Sequence, residues 1–306
     1  MRFDIRDGYI WLDGELVTWK DAKIHILTHS LHYGLAVFEG VRAYKTSSGT
    51  AIFRRDDHTN RLFASMKIMG MSCDYSKELI NNAQNIVVKQ NNLSSAYIRP
   101  ICFYGAEGMG LKAKDLKTHC AIAAWEWSSY LGEDNMKHGI RLKTSSYRRL
   151  SANSSLSKAK VSGNYVNSIL ASNEVVADGY DEALLLDEKG SVAEGPGENI
   201  FMVRDGTLYT PTLEFALEGI TRDTIIVIAK QHRIPIVERS ISRDELYCAD
   251  EIFLTGTAAE VVPVRSLDHR VIKNGEVGPI TILMQETYRK IVTGVITEKP
   301  EWLSYV

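Results

Sequence analysis

Residues 157–165 read Ser157-Lys158-Ala159-Lys160-Val161-Ser162-Gly163-Asn164-Tyr165. A lysine is ordinarily a solvated surface charge. Here small residues and Gly163 allow a ligand to approach the chain closely, and a helix pattern begins near Asn164-Tyr165. A lysine amine taken out of water is neutral at about pH 7 and can attack a carbonyl to form a Schiff base.

Outward from this segment lie three more clusters. Glu194-Gly195-Pro196-Gly197-Glu198-Asn199 is an acidic pair in a Gly/Pro turn, and a carboxylate aimed from such a turn keeps a pyridine nitrogen protonated. Glu218-Gly219-Ile220-Thr221-Arg222-Asp223 precedes an apolar-periodic helix, for which Thr221 is the expected N-cap, with Thr224 where a capping box has Glu. A glycine followed by the amides of a helix start is also an anion site. Thr255-Gly256-Thr257-Ala258-Ala259-Glu260 ends a buried strand and supplies a second group of small residues and hydroxyls. Two such clusters and an arginine suit a dianionic phosphate.

The rest of the chain sets the frame. Tyr9–Val17 reads as a hairpin turning at Asp13-Gly14, residues 58–70 and 76–91 as helices, and Ala96–Phe103 and Cys120–Trp125 as strands. The polar stretch Ser128–His138 reads as a linker. Beyond it strands dominate (183–186, 199–203, 251–255), with helices at 221–232 and 278–293. Mixed hairpins and helices predict α/β and α+β elements in two domains, not a doubly wound sheet. At about 150 residues per domain, 306 residues also predict two. A composition 44% hydrophobic and 24% charged excludes wholesale disorder. A net charge of −2 gives no footprint for nucleic acid or an anionic membrane. The start of the chain is charged where a secretory signal is apolar, no apolar run reaches membrane-span length, and a cytoplasmic location is expected. Cys73, Cys102, Cys120 and Cys248 are far apart in sequence, with no Cys-x-x-Cys, and read as buried small hydrophobes. No dinucleotide fingerprint, P-loop or His-Glu-x-x-His occurs.

The clusters above, together with Tyr33-Gly34, Val37-Phe38-Glu39-Gly40-Val41-Arg42, His58-x-x-Arg61-Leu62 and Tyr97-Ile98-Arg99-Pro100, occur in one order along nearly the whole chain. In that order and spacing the chain resembles the fold-type IV pyridoxal-phosphate enzymes, and among them the branched-chain amino acid aminotransferases. The resemblance implies a smaller N-terminal α/β domain (1–127), a linker (128–138) and a larger C-terminal cofactor-binding domain (139–306) with a pseudo-barrel of strands, the site lying between the domains. It implies a homodimer or a trimer of dimers, and transfer of the amino group of L-leucine, L-isoleucine or L-valine to 2-oxoglutarate by a reversible ping-pong reaction.

Residue by residue, the resemblance makes Lys160 the Schiff-base lysine and the proton carrier between Cα and C4′. It pairs Glu194 with the pyridine nitrogen and Tyr165 with the phenolic oxygen. Arg61, Ile220 (through its amide), Thr221 and Thr257 take the phosphate, with Leu217, Gly219 and Gly256 also at the cofactor. Tyr97 and the backbone of Thr257-Ala258 take the substrate α-carboxylate, and Arg99 the side-chain carboxylate of glutamate or 2-oxoglutarate. Phe38, Gly40, Trp127, Tyr130 and Tyr165 line the pocket, and Tyr33 enters from a neighbouring subunit. Two departures stand out: residues 150–157 contain no proline where related enzymes often carry one, and Lys158 lies two residues from Lys160.

Three other readings compete, of which a non-enzymatic binding or scaffold protein would leave a lysine, a carboxylate and two anion cradles in this order unexplained. A D-amino acid transaminase or aminodeoxychorismate lyase would share Lys160, Glu194 and the phosphate contacts, and Tyr97-x-Arg99-Pro100 with Phe38-Glu39-Gly40 separates the branched-chain group from them. A metal-dependent hydrolase would need His25, His29 and His32, which share a face if that segment is helical. No carboxylate lies at ligand spacing, and hydrogen-bonded histidines fit the segment better.

Overall fold

The computed structural model describes residues 3–4, 6–112, 115–127, 132–151 and 153–306; Tyr130 lies outside these. The chain divides into two compact units. The first comprises Met1–Trp127, Ala159–Gly163 and Val292–Val306, and the second Ser128–Lys158 and Asn164–Ile291. The expected division at 128–138 sends Lys160 and the C-terminal residues to the later half, whereas by contact both group with the first unit. Part of the expected linker is itself the helix Glu133–His138.

In the first unit the hairpin strands Tyr9–Leu12 and Glu15–Thr18 pair across Asp13-Gly14 as the sequence predicts. They edge a sheet running Leu303–Tyr305, Gly49–Phe53, Val41–Thr46, Ala96–Tyr104, Thr118–Trp125, Tyr9–Leu12, Glu15–Thr18, with Ala36–Phe38 also on Ala96–Tyr104. Helices Arg55–Ile68 and Lys77–Gln90 match the predicted pair; Ser76 caps the second by accepting from the Leu79 amide. Ile80, Ala83 and Val87 face inward at helical spacing, joining Leu62, Met66, Ile98 and Ile122 in one apolar core.

In the second unit the sheet runs Val192–Glu194, Glu182–Leu186, Ile140–Arg148, Glu260–Leu267, Glu251–Gly256, Asn199–Arg204, Thr207–Thr210, Ile236–Glu238, with Arg270–Val271 on Glu260–Leu267. The sheet is mixed: Ile140–Arg148 runs parallel to both of its neighbours, and Glu251–Gly256 antiparallel to both of its own. The helix Tyr165–Ala177 makes the crossover that such a parallel pair needs, burying Ala171 and Val175 against Ala183 and Leu185. Among the described residues no helix is long and apolar enough to cross a membrane.

One buried polar group ties the first unit together. Glu39, 0% exposed, follows the strand Ala36–Phe38. It accepts from Arg61 Nε at 2.7 Å and Nη2 at 2.9 Å, and His58 Nδ1 lies 2.7 Å from Oε2. Burial alone would raise the Glu39 carboxyl, but the Arg61 guanidinium and the His58 ring outweigh it and hold it well below the usual carboxylate range. Burial also lowers His58, so its ring stays neutral and donates from Nδ1 to the carboxylate.

Replacing Glu39 by alanine removes the buried carboxylate that both Arg61 and His58 contact. We expect a loss of about 3–5 kcal/mol in unfolding free energy, read by urea titration. Because the folded carboxyl and imidazole both titrate below their unfolded values, their stabilisation is complete above about pH 6.5. It drains on acidification, first through His58 and then, below about pH 4.3, through Glu39. The Glu39→Ala variant should lack the second, more acidic limb of that stability profile.

Candidate active site

Lys160 owes its position to alternation. Ala159 and Val161 are buried in the first unit's core, which turns Lys160 to the opposite side. Val161 forms a bridge to Val37, the Lys160 carbonyl accepts from the Phe38 amide at 3.1 Å, and the Lys160 amide donates to Ser65 Oγ at 3.0 Å. Gly163 donates to the Gly34 carbonyl at 3.0 Å, so the segment is fastened at both ends. Lys160 Nζ stands 5.0 Å from the centre of the Phe38 ring, and the Arg99 guanidinium 4.7 Å from the same ring. Lys158, the neighbouring lysine, turns into the second unit, donating to the carbonyls of Leu213 and Ala216.

Arg99 and Tyr97 come from the central strand Ala96–Tyr104, two residues apart and therefore on one face. Arg99 Nη2 donates to the Tyr97 hydroxyl at 3.1 Å, and Arg99 Nε is buried with no hydrogen-bond partner. The Tyr97 ring lies 4.9 Å from Trp127 and 5.3 Å from Trp125. Gly40 makes this arrangement possible, since a Cβ there would lie 2.0 Å from the Tyr97 hydroxyl oxygen. Arg61, on the helix Arg55–Ile68, is held by Glu39, the residue between Phe38 and Gly40. Tyr33, on the short helix His29–Tyr33, is 41% exposed and accepts from the Gly110 amide at 3.2 Å. The three histidines contact backbone: His29 Nε2 the Gly110 carbonyl and His32 Nε2 the Ile26 carbonyl, both at 2.8 Å, and His25 Nδ1 the Leu27 amide at 3.1 Å.

The second unit assembles the other predicted residues around Glu194, which is 4% exposed at the end of Val192–Glu194. It accepts from the Leu217 amide at 3.1 Å and Asn199 Nδ2 at 3.3 Å, and pairs with Arg149 Nε at 2.6 Å. Asn199 Nδ2 also donates to the Leu217 carbonyl at 3.0 Å. Thr221 is not the N-cap. Gly219 takes that position with extended backbone, the helix starts at Ile220, and Thr221 is buried in its first turn. Only glycine fits there, because a Cβ on Gly219 would lie 1.9 Å from Asn199 Oδ1. Thr257 and Ala258 sit half-buried in the turn joining Glu251–Gly256 to Glu260–Leu267, and Tyr165 opens the helix Tyr165–Ala177.

Arg149 and Asn199 escape the sequence reading. Arg149 follows a strand with no motif around it; the only available signal was a second arginine beside Arg148 in a chain whose acidic Glu194 needs a cation once buried.

These residues suit pyridoxal phosphate on three counts. Glu194 is a buried carboxylate fixed by two hydrogen-bond donors and an ion pair. Arg149 Nη1 and Thr255 Oγ1 are buried with no hydrogen-bond partner among the described residues, as befits groups facing an anionic ligand. The helix at Ile220–Gln231 starts without a side-chain cap, presenting a phosphate-sized anion site at Gly219.

The comparisons with known proteins agree. The family model for amino-transferase class IV matches residues 36–267. The branched-chain-amino-acid aminotransferase of Pseudomonas aeruginosa is 54% identical over 301 residues, 98% of each chain. A crystal structure of the Escherichia coli branched-chain amino acid aminotransferase superposes with a TM-score of 0.96 at 43% identity, covering 98% of this chain and 99% of that one. The Thermobaculum terrenum enzyme of the same name, in its PLP-form, gives 0.91 at 34% identity over 97% and 98% of the two chains. With a family model over most of its length, close relatives end to end and the fold-type IV architecture, the chain belongs to the class IV aminotransferases, in the branched-chain-amino-acid aminotransferase family.

Proposed function

We propose that the protein is a pyridoxal-phosphate-dependent transaminase that moves the amino group of L-leucine, L-isoleucine or L-valine to 2-oxoglutarate, reversibly and in ping-pong order. The observation that carries this reading is the Phe38 ring, with Lys160 Nζ and Arg99 on it within 5.0 Å. An apolar surface, a reactive amine and a carboxylate receptor are thereby placed side by side.

Bound pyridoxal phosphate supplies an aldehyde carbon and an electron-withdrawing pyridinium. Glu194, ion-paired to Arg149, holds the proton on the ring nitrogen. Arg61, the amide of Ile220, and the hydroxyls of Thr221 and Thr257 hold the phosphate; Tyr165 takes the phenolic oxygen. Lys160 Nζ is the base that takes the proton from the substrate Cα. Tyr97 and the Thr257-Ala258 backbone orient the α-carboxylate. Phe38, Gly40 and Trp127 bound the side-chain pocket, and Arg99 receives the second carboxylate of glutamate or 2-oxoglutarate.

We read the surface around Tyr33 as a dimer interface. Ile26, Leu27 and Leu31 are exposed beside Tyr33, and Leu111, 88% exposed, follows Gly110, whose amide and carbonyl contact Tyr33 and His29. A contiguous apolar face of this kind marks an interface, which brings Tyr33 to a neighbouring subunit's pocket. We place the enzyme in the cytoplasm, where its amino-acid and keto-acid substrates are metabolised.

Three outcomes follow. The protein incubated with pyridoxal phosphate is yellow, its band shifts on adding L-glutamate, and borohydride fixes the label on Lys160; label on Lys158, or no colour, refutes the site. Arg99→Ala raises KM for 2-oxoglutarate about 10–100-fold, the worth of one charged hydrogen-bonding pair, while the half-reaction with L-leucine is affected far less. Leu111→Asp lowers the sedimentation coefficient to that of a monomer if the apolar face is the interface; an unchanged dimer refutes that assignment.

A further inference from the structure

The cysteines, scattered in the sequence, converge in the first unit. Cys102 and Cys120 are opposite each other in the register of strands Ala96–Tyr104 and Thr118–Trp125, with their sulfurs 2.8 Å apart. Cys73 Sγ lies 3.7 Å from Cys120 Sγ. Cys102 and Cys120 are buried, whereas Cys73 is half-buried in the irregular segment between helices Arg55–Ile68 and Lys77–Gln90. It lines a cavity of about 470 Å³, whose wall also carries Lys67 and Lys77.

We infer that Cys73 and Cys120 form an oxidation site for hydroperoxides, with Cys73 as the sulfur that reacts and Cys120 as the sulfur that resolves it. The placement divides the roles. Of the three, Cys73 is the one that lines this cavity, which is large enough for a small peroxide. Hydrogen bonds from Cys102 and Cys120 draw the Cys73 thiol down, while the same bonds and burial push Cys120 up. In the first step the Cys73 thiolate attacks one peroxide oxygen, the O–O bond breaks, and hydroxide leaves as water on taking a proton, giving a sulfenic acid. In the second, the Cys120 sulfur attacks the Cys73 sulfur, the S–O bond breaks, and the Cys120 proton leaves with the hydroxyl as a second water. Two thiols are oxidised by two electrons and one peroxide is reduced. Closing 3.7 Å to a bond of about 2.05 Å requires one partner to move, and Cys73, outside any helix or strand, is the partner able to do so. Cys102 stays a thiol against Cys120.

The holoenzyme treated with equimolar hydrogen peroxide and mapped without reductant tests this, with the exposed Cys248 as internal reference. The expected result is a Cys73–Cys120 linked peptide lighter by two hydrogens, formed ahead of any oxidation at Cys248 and reversed by dithiothreitol. Cys120→Ser should lose the link and leave one added oxygen on Cys73, a sulfenic acid captured by dimedone, and Cys102→Ser should keep the link. Oxidation of Cys248 first, with Cys73 still a thiol, overturns the inference. So does a link joining Cys102 to Cys120 with Cys73 free.

Discussion

A carboxylate with no access to water decides how the first unit is organised. Glu39 could not be ionised in that interior without Arg61 and His58, and Arg61 could not be buried without Glu39. Each partner alone would carry a desolvation penalty larger than its other contacts repay. Together they fix the turn after Ala36–Phe38 against the helix Arg55–Ile68, and the flanking residues Phe38 and Gly40 inherit that precision. The bidentate contact also sets the plane of the Arg61 guanidinium before any ligand arrives. An anion receptor whose orientation is preset loses less entropy on binding than a free arginine would.

Lys160 is secured by a different device. The backbone around it is fastened by contacts that do not involve its side chain. Ala159 and Val161 are core residues, and main-chain bonds run to Phe38, Ser65 and Gly34. Nothing in that set restrains Nζ through the backbone. In the role proposed for Lys160, a backbone fixed in this way holds the amine in range of a bound substrate.

How much of this was legible in the sequence depends on the range of the interaction. Local signals were readable: Asp13-Gly14 gave its hairpin, Leu62 and Met66 their helix, and Ile252–Leu254 their strand. Long-range polar pairing was not. Nothing near Arg149 says that Glu194 will lie against it, because strand pairing, not spacing, brings residues 149 and 194 together. The Thr221 cap was misread for the same reason: Asn199, distant in sequence, leaves no room for a side chain at residue 219 and so fixes the cap at Gly219. The cysteines are the clearest case, since only the cross-strand register reveals that positions 102 and 120 face each other. Motif order singled out Lys160 and Glu194 as candidates, but the company each keeps is a property of the fold.

The harder demand on the site is to accept both an aliphatic side chain and a carboxylate. A solvated arginine in the pocket would repel leucine, because its water would have to be stripped for no return. Arg99 avoids this by resting on the Phe38 and Tyr97 rings, 4.7 and 5.3 Å from their centres, and by donating to the Tyr97 hydroxyl. Stacking on aromatic faces satisfies a guanidinium about as well as a partial hydration shell, at roughly 0.5–2 kcal/mol per contact. The cation is therefore tolerable when leucine occupies the pocket, and its buried Nε remains available to a carboxylate. On the roles proposed for these residues, specificity for two unlike substrates needs no conformational switch: the aromatic rings serve the alkyl chain directly and keep the arginine in reserve for the acid.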